Sequence, residues 1–412
     1  MPGDKKWTFM VYLAGDNNLE SFGTKDLIEM KVAGSSDQVS IVAQFDRMSD
    51  EVTRRYYLAA EGSLKDNCVA ELPEVNTGDP KALSAFISWA CINYPADRYA
   101  LVLWNHGAGW KDDDIYRVTE ARGLAGLVGR GQVRSLSSGK PGRALFSTTV
   151  AKLVNESIRR AIAFDDSAAD FLDNHELEQV LQQAAPSFGG QLALLGFDAC
   201  LMSMLEIDYQ VQHLCQVAVG SQENEPGDGW PYGAIIRKLT ADPDMTAEML
   251  GRVIVQEYDL SYRVNQPNVP VTQSAIGLSR LEPVAGAVGQ LGDTLLAHMS
   301  DRATMGIVFN ALRFAQSFSD RDYIDLGHFC QLLAADDAGG AIGAAAQSVV
   351  DLLVEDGSPV IAEAHHGSEV EDASGLSIYL PTRVVSPLYR DLEFAQKHGW
   401  DDFLGSFVSP RG

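Results

Sequence analysis

"LVLWNHGAGW", residues 101–110, begins as a buried strand and ends in a flexible polar turn. Leu101 to Trp104 form the uninterrupted apolar run that is typical of a strand covered on both faces of its sheet. Asn105 and His106 follow at once, and two glycines come within the next three residues. The stretch therefore predicts a core strand that presents a histidine at its carboxyl end.

Apolar strand-like runs alternate with helical periodicity along most of the chain. The predicted strands cover 7–14, 39–45, 99–105, 191–197 and 215–221, with further strands at 273–280 and 375–380. The predicted helices cover about 19–33, 79–94, 148–163, 174–185, 201–213, 244–264, 283–300, 325–336 and 340–355. This alternation predicts an α/β fold with a mostly parallel central sheet and helices on both faces. In such sheets the ligand site lies beyond the carboxyl ends of the strands.

The regular pattern lapses over residues 111–146, where glycine, serine and arginine dominate. We expect a long exposed loop there, inserted in the α/β core. Residues 1–265 are predicted to form that core. Residues 266–412 are predicted to form a C-terminal α/β extension packed on it.

Composition excludes several classes of partner. The 412 residues include 32 basic and 56 acidic ones, a formal charge of −24. This charge argues against nucleic acid or an anionic membrane as a partner. The five cysteines are scattered without a CxxC pair, so neither a disulfide scaffold nor a structural zinc site is indicated. The first residues lack the apolar core of a signal peptide, and no run approaches about 18 apolar residues, so we expect a cytoplasmic protein.

A cysteine follows another of the predicted core strands, in "GFDACLMSMLE", residues 196–206. The pattern places Cys200 at or just before a helix N-terminus, where amide dipoles stabilise a thiolate. His106 ends a strand of the same sheet, so the two side chains are expected at one edge. Either residue alone fits an ordinary packing role. Together they are the two components of acyl transfer through a thioester.

Five stretches in order resemble the clostripain family of cysteine peptidases. They are "WTFMVYLAGDNNLE" (7–20), "LVLWNHGAGW" (101–110), "GFDACLMSMLE" (196–206), "SQENEPGDGWPY" (221–232) and "SGLSIYLP" (374–381). The resemblance spans nearly the whole chain. It implies a caspase-like α/β/α sandwich, with residues 1–265 as the catalytic core.

The resemblance also implies roles for individual residues. His106 matches the catalytic histidine and Cys200 matches the nucleophile. The amides of Gly107 and Cys200 would form the oxyanion hole. The expected activity is cleavage of peptide bonds after Arg or Lys through a thioester acyl-enzyme.

A cationic substrate side chain needs a negative partner in its pocket. Asp198 matches the acidic pocket residue of the family, although it could also cap the following helix. Asp228 is a second candidate for substrate binding. Glu223 and Glu225 are interpreted as solvated loop carboxylates, and Trp230 as a residue that packs the loop.

Two further features concern processing and metals. Family members are often activated by self-cleavage after a basic residue, and Arg130 and Arg134 in the 111–146 loop are the favoured sites. No cofactor is required by the sequence. Calcium is possible at "KDDD" (111–114), but this run lacks the ligand spacing of an EF-hand. His365 and His366 are not expected to form a metal site, because adjacent side chains point in different directions.

Two other functions stay open at this point. The chain could be a latent or non-catalytic caspase-like module that binds basic peptides or a partner protein. It could also be a cysteine hydrolase that acts on a non-peptide amide.

Overall fold

A nine-stranded sheet forms the centre of the protein. The computed structural model describes residues 5–17, 19–50, 52–105, 107, 144–147 and 171–408. The strands are β1 Lys5–Gly15, β2 Val39–Arg47, β3 Val52–Tyr57, β4 Cys68–Pro73, β5 Ala96–Trp104, β6 Ala144–Ser147, β7 Phe171–Asp173, β8 Leu192–Asp198, β9 Cys215–Gly220, β10 Val271–Gly277, β11 Tyr323–Asp325, β12 Val360–His366 and β13 Ser377–Tyr379. The central sheet has the order β12-β10-β9-β8-β5-β1-β2-β3-β4, and β6–β7 and β11–β13 form two small separate sheets.

The direction of the strands confirms a mostly parallel sheet. The five adjacent strands β9, β8, β5, β1 and β2 run parallel to one another. At one end β10 is antiparallel to both β9 and β12, and at the other end β3 is antiparallel to both β2 and β4. Only β3 and β10 are therefore reversed, so seven of the nine strands point the same way.

Side chains of the central strands are apolar on both faces, as a sheet covered by two layers of helices requires. On β1, Phe9 and Val11 pack into the core on one face, whereas Met10 and Tyr12 pack into the core on the other. Each of these four side chains is at most 1% exposed. This double burial explains why the central strands read as continuous apolar runs.

Helices cover both faces. They are α1 Glu20–Ala33, α2 Leu64–Asn67, α3 Pro80–Asn93, α4 Asn174–Ala184, α5 Leu205–Val211, α6 Tyr232–Ala241, α7 Ala247–Asn265, α8 Leu281–His298, α9 Arg302–Phe314, α10 Leu326–Asp336, α11 Ala341–Val354, α12 Glu393–His398 and α13 Trp400–Val408. Helices α1, α6 and α7 supply the core on one face, and α3, α4, α5 and α8 to α13 supply it on the other. Within the described residues, no helix is both long and apolar enough to cross a membrane.

The predicted elements that fall on described residues are found, with several differences. Helices α2, α6, α9, α12 and α13 and the short strands β6, β7 and β11 were not predicted. The helix expected at 201–213 begins only at Leu205. The strand expected at 375–380 pairs with β11 outside the central sheet. Strands β3, β4 and β12 were not predicted, because they lie near or at the ends of the sheet and carry charged residues between apolar ones. The helix expected at 148–163 lies outside the described residues.

Connections on the two sides of β1 fix the position of the site. From β1 the chain continues outward to β2 on one side, and it later returns to β5 on the other side. The order of strands therefore reverses between β1 and β5, which makes their carboxyl ends a switch point. Strand β8 lies next to β5, so its carboxyl end meets the same crevice. Strands β10 and β12, from beyond residue 266, belong to the same sheet.

Candidate active site

Hydrogen bonds tie together the three strand ends at this crevice. The Asn105 N–H, just after β5, donates to the Asp198 carbonyl at the end of β8 (3.3 Å). The Asn17 side-chain amide, just after β1, donates to Asn105 Oδ1 (3.1 Å) and to the Ala14 carbonyl (2.9 Å). Asn17 thus fixes the segment that leads into His106. The polar "AGDNNLE" after the first strand signalled its position but not this contact.

Cys200 lies in a turn after β8 and not at a helix N-terminus, so that prediction was wrong. Leu201 adopts a left-handed backbone conformation (φ 62°), and helix α5 begins only at Leu205. Between them Ser203 is held extended, because its N–H donates to the Ser221 carbonyl (2.9 Å) and its carbonyl accepts from the Ser377 N–H (3.0 Å). These pairings delay the helix, so its dipole does not act on Cys200 at close range.

The half-buried thiol of Cys200 instead faces backbone amides. The Glu225 N–H donates to Sγ (3.3 Å), and Sγ lies 3.8 Å from the Glu225 carbonyl oxygen. Burial raises the pKa of the Cys200 thiol, while the N–H groups of Glu225 and Gly107 act in the opposite direction. The amides favour a thiolate at this position, although burial holds the group neutral in the structure as it stands.

Gly107 packs directly on the backbone of Cys200. A Cβ at this position would collide with the Cys200 carbonyl oxygen and would lie 2.8 Å from the Cys200 nitrogen. Only glycine therefore allows the two backbone segments to lie this close. The contact brings the backbones of Gly107 and Cys200, the two residues predicted to form the oxyanion hole, against each other.

Several predicted site features lie outside the described residues. They are His106, the self-cleavage candidates Arg130 and Arg134, and the acidic run at 111–114. The residues on either side of His106, Asn105 and Gly107, are described, and both are buried.

A cavity of about 110 Å³ opens beside Cys200. Its wall includes the side chains of Asp198, Glu225 and Trp104. Asp198 is 4% exposed, and its Oδ2 accepts hydrogen bonds from the Tyr232 hydroxyl (2.8 Å) and the Trp230 N–H (3.3 Å). These partners lie on the 221–232 loop and α6, so Asp198 does not cap α5. It is one of the residues that line the cavity beside Cys200.

Glu225 is the site residue that sequence reasoning missed. It was interpreted as a solvated loop carboxylate, but its carboxyl group is buried next to that of Asp198. Its Oε1 also accepts from Gln273 Nε2 on β10 (2.9 Å). Burial raises the pKa of both carboxyl groups, and their proximity raises that of Glu225 further. Glu225 is buried because the 221–232 loop folds back over the strand ends and carries its side chain inward.

A third carboxyl group lies behind this pair. Asp26 on α1 is 1% exposed, and its Oδ2 accepts from the indole N–H of Trp104 (2.8 Å). Burial, together with the neighbouring Asp198, raises the pKa of Asp26 to about 9. Asp26 is therefore neutral near pH 7 and adds little charge to the site.

Asp228 occupies a different position from Asp198. Its carboxylate forms an ion pair with Lys25 Nζ (2.6 Å) and accepts from Gln266 Nε2 (2.6 Å). It lines a separate cleft of about 280 Å³ between α1 and α7. Trp230, in contrast, is fully buried against Gly196 and packs the loop, as interpreted from the sequence.

No three His, Cys, Asp or Glu side chains within the described ranges are placed to share a metal ion. His365 Nδ1 contacts Glu363 Oε1 (2.6 Å), and His366 Nε2 contacts the Pro267 carbonyl (2.6 Å). These two histidines thus have separate local partners.

Comparison with known proteins places this geometry among cysteine proteases. A sequence model of the clostripain family matches residues 11–125 and 150–407. Clostripain from Hathewaya histolytica is 24% identical over 383 residues, covering 79% of this chain and 64% of the relative. The chain therefore matches just under two thirds of the length of that curated relative.

Two solved structures have the same fold over nearly the whole chain. One is a secreted C11 cysteine protease from Bacteroides thetaiotaomicron with an irreversible peptide inhibitor (TM-score 0.65, 18% identity, 97% of this chain and 99% of that one). The other is an inactive zymogen C11 protease from Parabacteroides distasonis (TM-score 0.64, 19% identity, 97% and 99%). The predicted α/β/α sandwich is confirmed.

Proposed function

The chain belongs to the clostripain family, and on that premise we propose that it is a cysteine endopeptidase that cleaves after Arg or Lys. The observation that carries the proposal is the convergence of the Gly107 and Glu225 amides on the thiol of Cys200, beside a cavity walled by buried carboxyl groups. A packed structural cysteine needs no such surroundings.

Cys200 is the proposed nucleophile. Its thiolate attacks the substrate carbonyl carbon, and His106 first takes up the thiol proton and then delivers it to the leaving amine. The resulting thioester is hydrolysed by a water molecule that His106 activates. The burial that raises the pKa of Cys200 makes a proton acceptor such as His106 necessary near pH 7.

Stabilisation of the oxyanion is assigned to the amides of Gly107 and Cys200. They lie on backbone segments in direct contact, so their positions are set before substrate binds. Preorganised donors of this kind stabilise the charge that develops on the carbonyl oxygen in the transition state.

Asp198 is the proposed partner for the P1 side chain, the residue on the amino side of the cleaved bond. It is buried in the cavity wall beside Cys200, where an ion pair is strong because water is scarce. Asp228 already has a cationic partner in Lys25 and lines another cleft, so we assign it the smaller part in binding.

Self-cleavage after Arg130 or Arg134 is part of the same proposal. Both arginines suit the proposed specificity, and the P. distasonis relative is described as an inactive zymogen. Calcium dependence stays a prediction from the acidic run at 111–114.

The experiment is hydrolysis of fluorogenic peptides that carry Arg, Lys, Ala or Asp before the scissile bond. Purified protein is compared with Cys200→Ala, with and without calcium, and intact mass is recorded. The proposal expects Arg or Lys cleavage that is absent in Cys200→Ala. Failure of the folded protein to cleave any of these peptides would contradict it and favour a latent module that binds basic peptides.

A further inference from the structure

The Asp198–Glu225 carboxyl pair has an unusual environment for two acidic groups. The two carboxyl groups lie next to each other and line the cavity beside Cys200, and Oε2 of Glu225 is buried without a hydrogen-bond partner from any residue that the structure describes. Asp198 accepts from Tyr232 and Trp230, and Glu225 accepts from Gln273. All of these donors are neutral.

Within the described part of the chain, the pair has no cationic partner. Among the described residues, no lysine, arginine or histidine forms a hydrogen bond or ion pair with either carboxyl group. Lys25 on α1 forms an ion pair with Asp228 and not with this pair. The titratable groups that surround the pair are Asp26, Glu29, Tyr232, Tyr258, Tyr262 and Cys200.

Two carboxylates in contact and out of water cannot both be ionised without a cation. We propose that Asp198 and Glu225 share one proton when the cavity is empty, and that the guanidinium or ammonium group of a P1 side chain displaces this proton. The inference rests on the proposed function, because it takes the cavity as the P1 pocket.

The exchange balances in charge. With its shared proton the pair carries one negative charge. When that proton leaves to solvent, the pair carries two negative charges, and the single positive charge of the P1 group restores the original sum. No covalent bond other than the O–H bond changes.

The donors decide which group holds the proton. Asp198 accepts two hydrogen bonds from neutral donors whereas Glu225 accepts one, so Asp198 is the ionised member. Glu225 therefore carries the proton and loses it when the cation enters. Because its own N–H binds Cys200 Sγ, Glu225 also joins the P1 pocket to the nucleophile through a single residue.

Proton displacement makes the affinity for a basic peptide depend on pH. Affinity rises as pH rises, by up to about tenfold per pH unit while one whole proton is released. A pocket that held a permanently ionised carboxylate would show no such dependence.

The test is titration calorimetry on Cys200→Ala, which binds but does not turn over peptide. The probe is acetyl-Ala-Ala-Arg-amide, and the matched neutral probe replaces Arg by citrulline. Titrations at pH 7 in phosphate and in Tris, which differ in ionisation enthalpy, count the protons released. We expect close to one proton for the Arg peptide and none for the citrulline peptide.

The control is Cys200→Ala/Glu225→Gln, whose amide can donate a hydrogen bond to Asp198 but cannot ionise. His106 is the same in both proteins, so the difference between their proton counts isolates Glu225. We expect the double variant to bind the Arg peptide without releasing a proton. Equal release from both proteins, or none from Cys200→Ala, would overturn the inference.

Two measurements keep the test decisive. If the double variant does not fold, the affinity of Cys200→Ala for the Arg peptide between pH 5.5 and 8 replaces it, and an affinity that does not change would overturn the inference. Tight Arg binding without proton release defeats only the inference. Equal affinity for the Arg and citrulline peptides defeats the proposed P1 pocket as well.

Discussion

Buried acidic side chains at two places in this protein differ in what surrounds them. Asp198 and Glu225 line a cavity beside the nucleophile and face each other. Glu206 on α5 is fully enclosed, and its Oε1 accepts from the Tyr379 N–H (2.9 Å) and the Tyr389 hydroxyl (2.9 Å). Burial raises the pKa of all three carboxyl groups.

The two places differ in whether the carboxyl groups are enclosed by the fold or line a cavity. Glu206 joins α5 to β13 and to the segment before α12 through protein donors, so its hydrogen bonds are made within the fold. The Asp198–Glu225 pair opens on empty space and lacks a cationic partner among the described residues. A raised pKa alone therefore does not identify a functional carboxyl group. A carboxyl group that also lines a cavity beside the proposed nucleophile is the stronger candidate.

Asp198→Asn is expected to have the largest effect on activity. The loss of a buried charge partner costs about 2–5 kcal/mol, so kcat/KM for Arg peptides falls by about 30-fold to a few thousand-fold. Cleavage of citrulline peptides is expected to change little. The matched control, Asp228→Asn, removes a carboxylate that is already paired with Lys25, and we expect a loss below about tenfold. Equal losses in the two variants would contradict the assignment of Asp198.

Gly107→Ala tests whether activity depends on the close contact between the backbones of Gly107 and Cys200. The added methyl group collides with the Cys200 backbone and displaces the oxyanion donors. We expect kcat to fall by about 100-fold, as for the loss of one such donor. The control is Gly306→Ala in α9, where a Cβ meets nothing within 4 Å. It is expected to leave activity unchanged and to stabilise the helix by about 0.5–1 kcal/mol.

Glu206→Gln tests the structural role of Glu206 through the pH dependence of the free energy of unfolding. Burial raises the pKa of Glu206 to about 7, above its unfolded value of 4.5. Between these values only the folded state binds the proton, so the free energy of unfolding falls as pH rises, by about 3 kcal/mol in all. We expect denaturant titrations to show a smaller fall between pH 5 and 7 in the variant, with peptidase activity unchanged. A fall of the same size as in the wild type would show that Glu206 is not its source.

Tyr389→Phe is expected to have the smallest effect. It removes one hydrogen-bond donor from Glu206 and destabilises the protein by about 1–2 kcal/mol, without a change in kcat/KM. Tyr94→Phe serves as the control, because that ring stacks on Tyr57 at a site far from Glu206 in the fold. A loss of activity in Tyr389→Phe without a loss of stability would contradict the purely structural role of Glu206 and Tyr389.

Central strands and the position of the nucleophile could be predicted from the sequence. The strands buried on both faces produce continuous apolar runs, and the residues that follow them necessarily lie at one edge. Strand β3 was missed, because its "VTRRYY" is short, carries two adjacent arginines near the end of the sheet and resembles a loop.

Acidic residues of the pocket were harder to predict because long-range contacts bury them. Glu225 sits in a polar, glycine-containing loop, and only its contacts with Asp198 and with Gln273 on β10 reveal that its carboxyl group is inside. Asp26 shares the buried face of α1 with Leu27 and Met30, but its partner Trp104 is distant in sequence. Local patterns carry no signal of such pairings.

The most direct test of the central claim is to locate the acylated or alkylated residue. The protein is treated with an arginyl acyloxymethyl ketone peptide, digested, and mapped by mass spectrometry. We predict a single adduct on Cys200, with Cys68 and Cys91 unmodified although all three cysteines are partly exposed. An adduct spread over these cysteines, or one on Cys200 that forms equally fast with a citrulline reagent, would contradict the account.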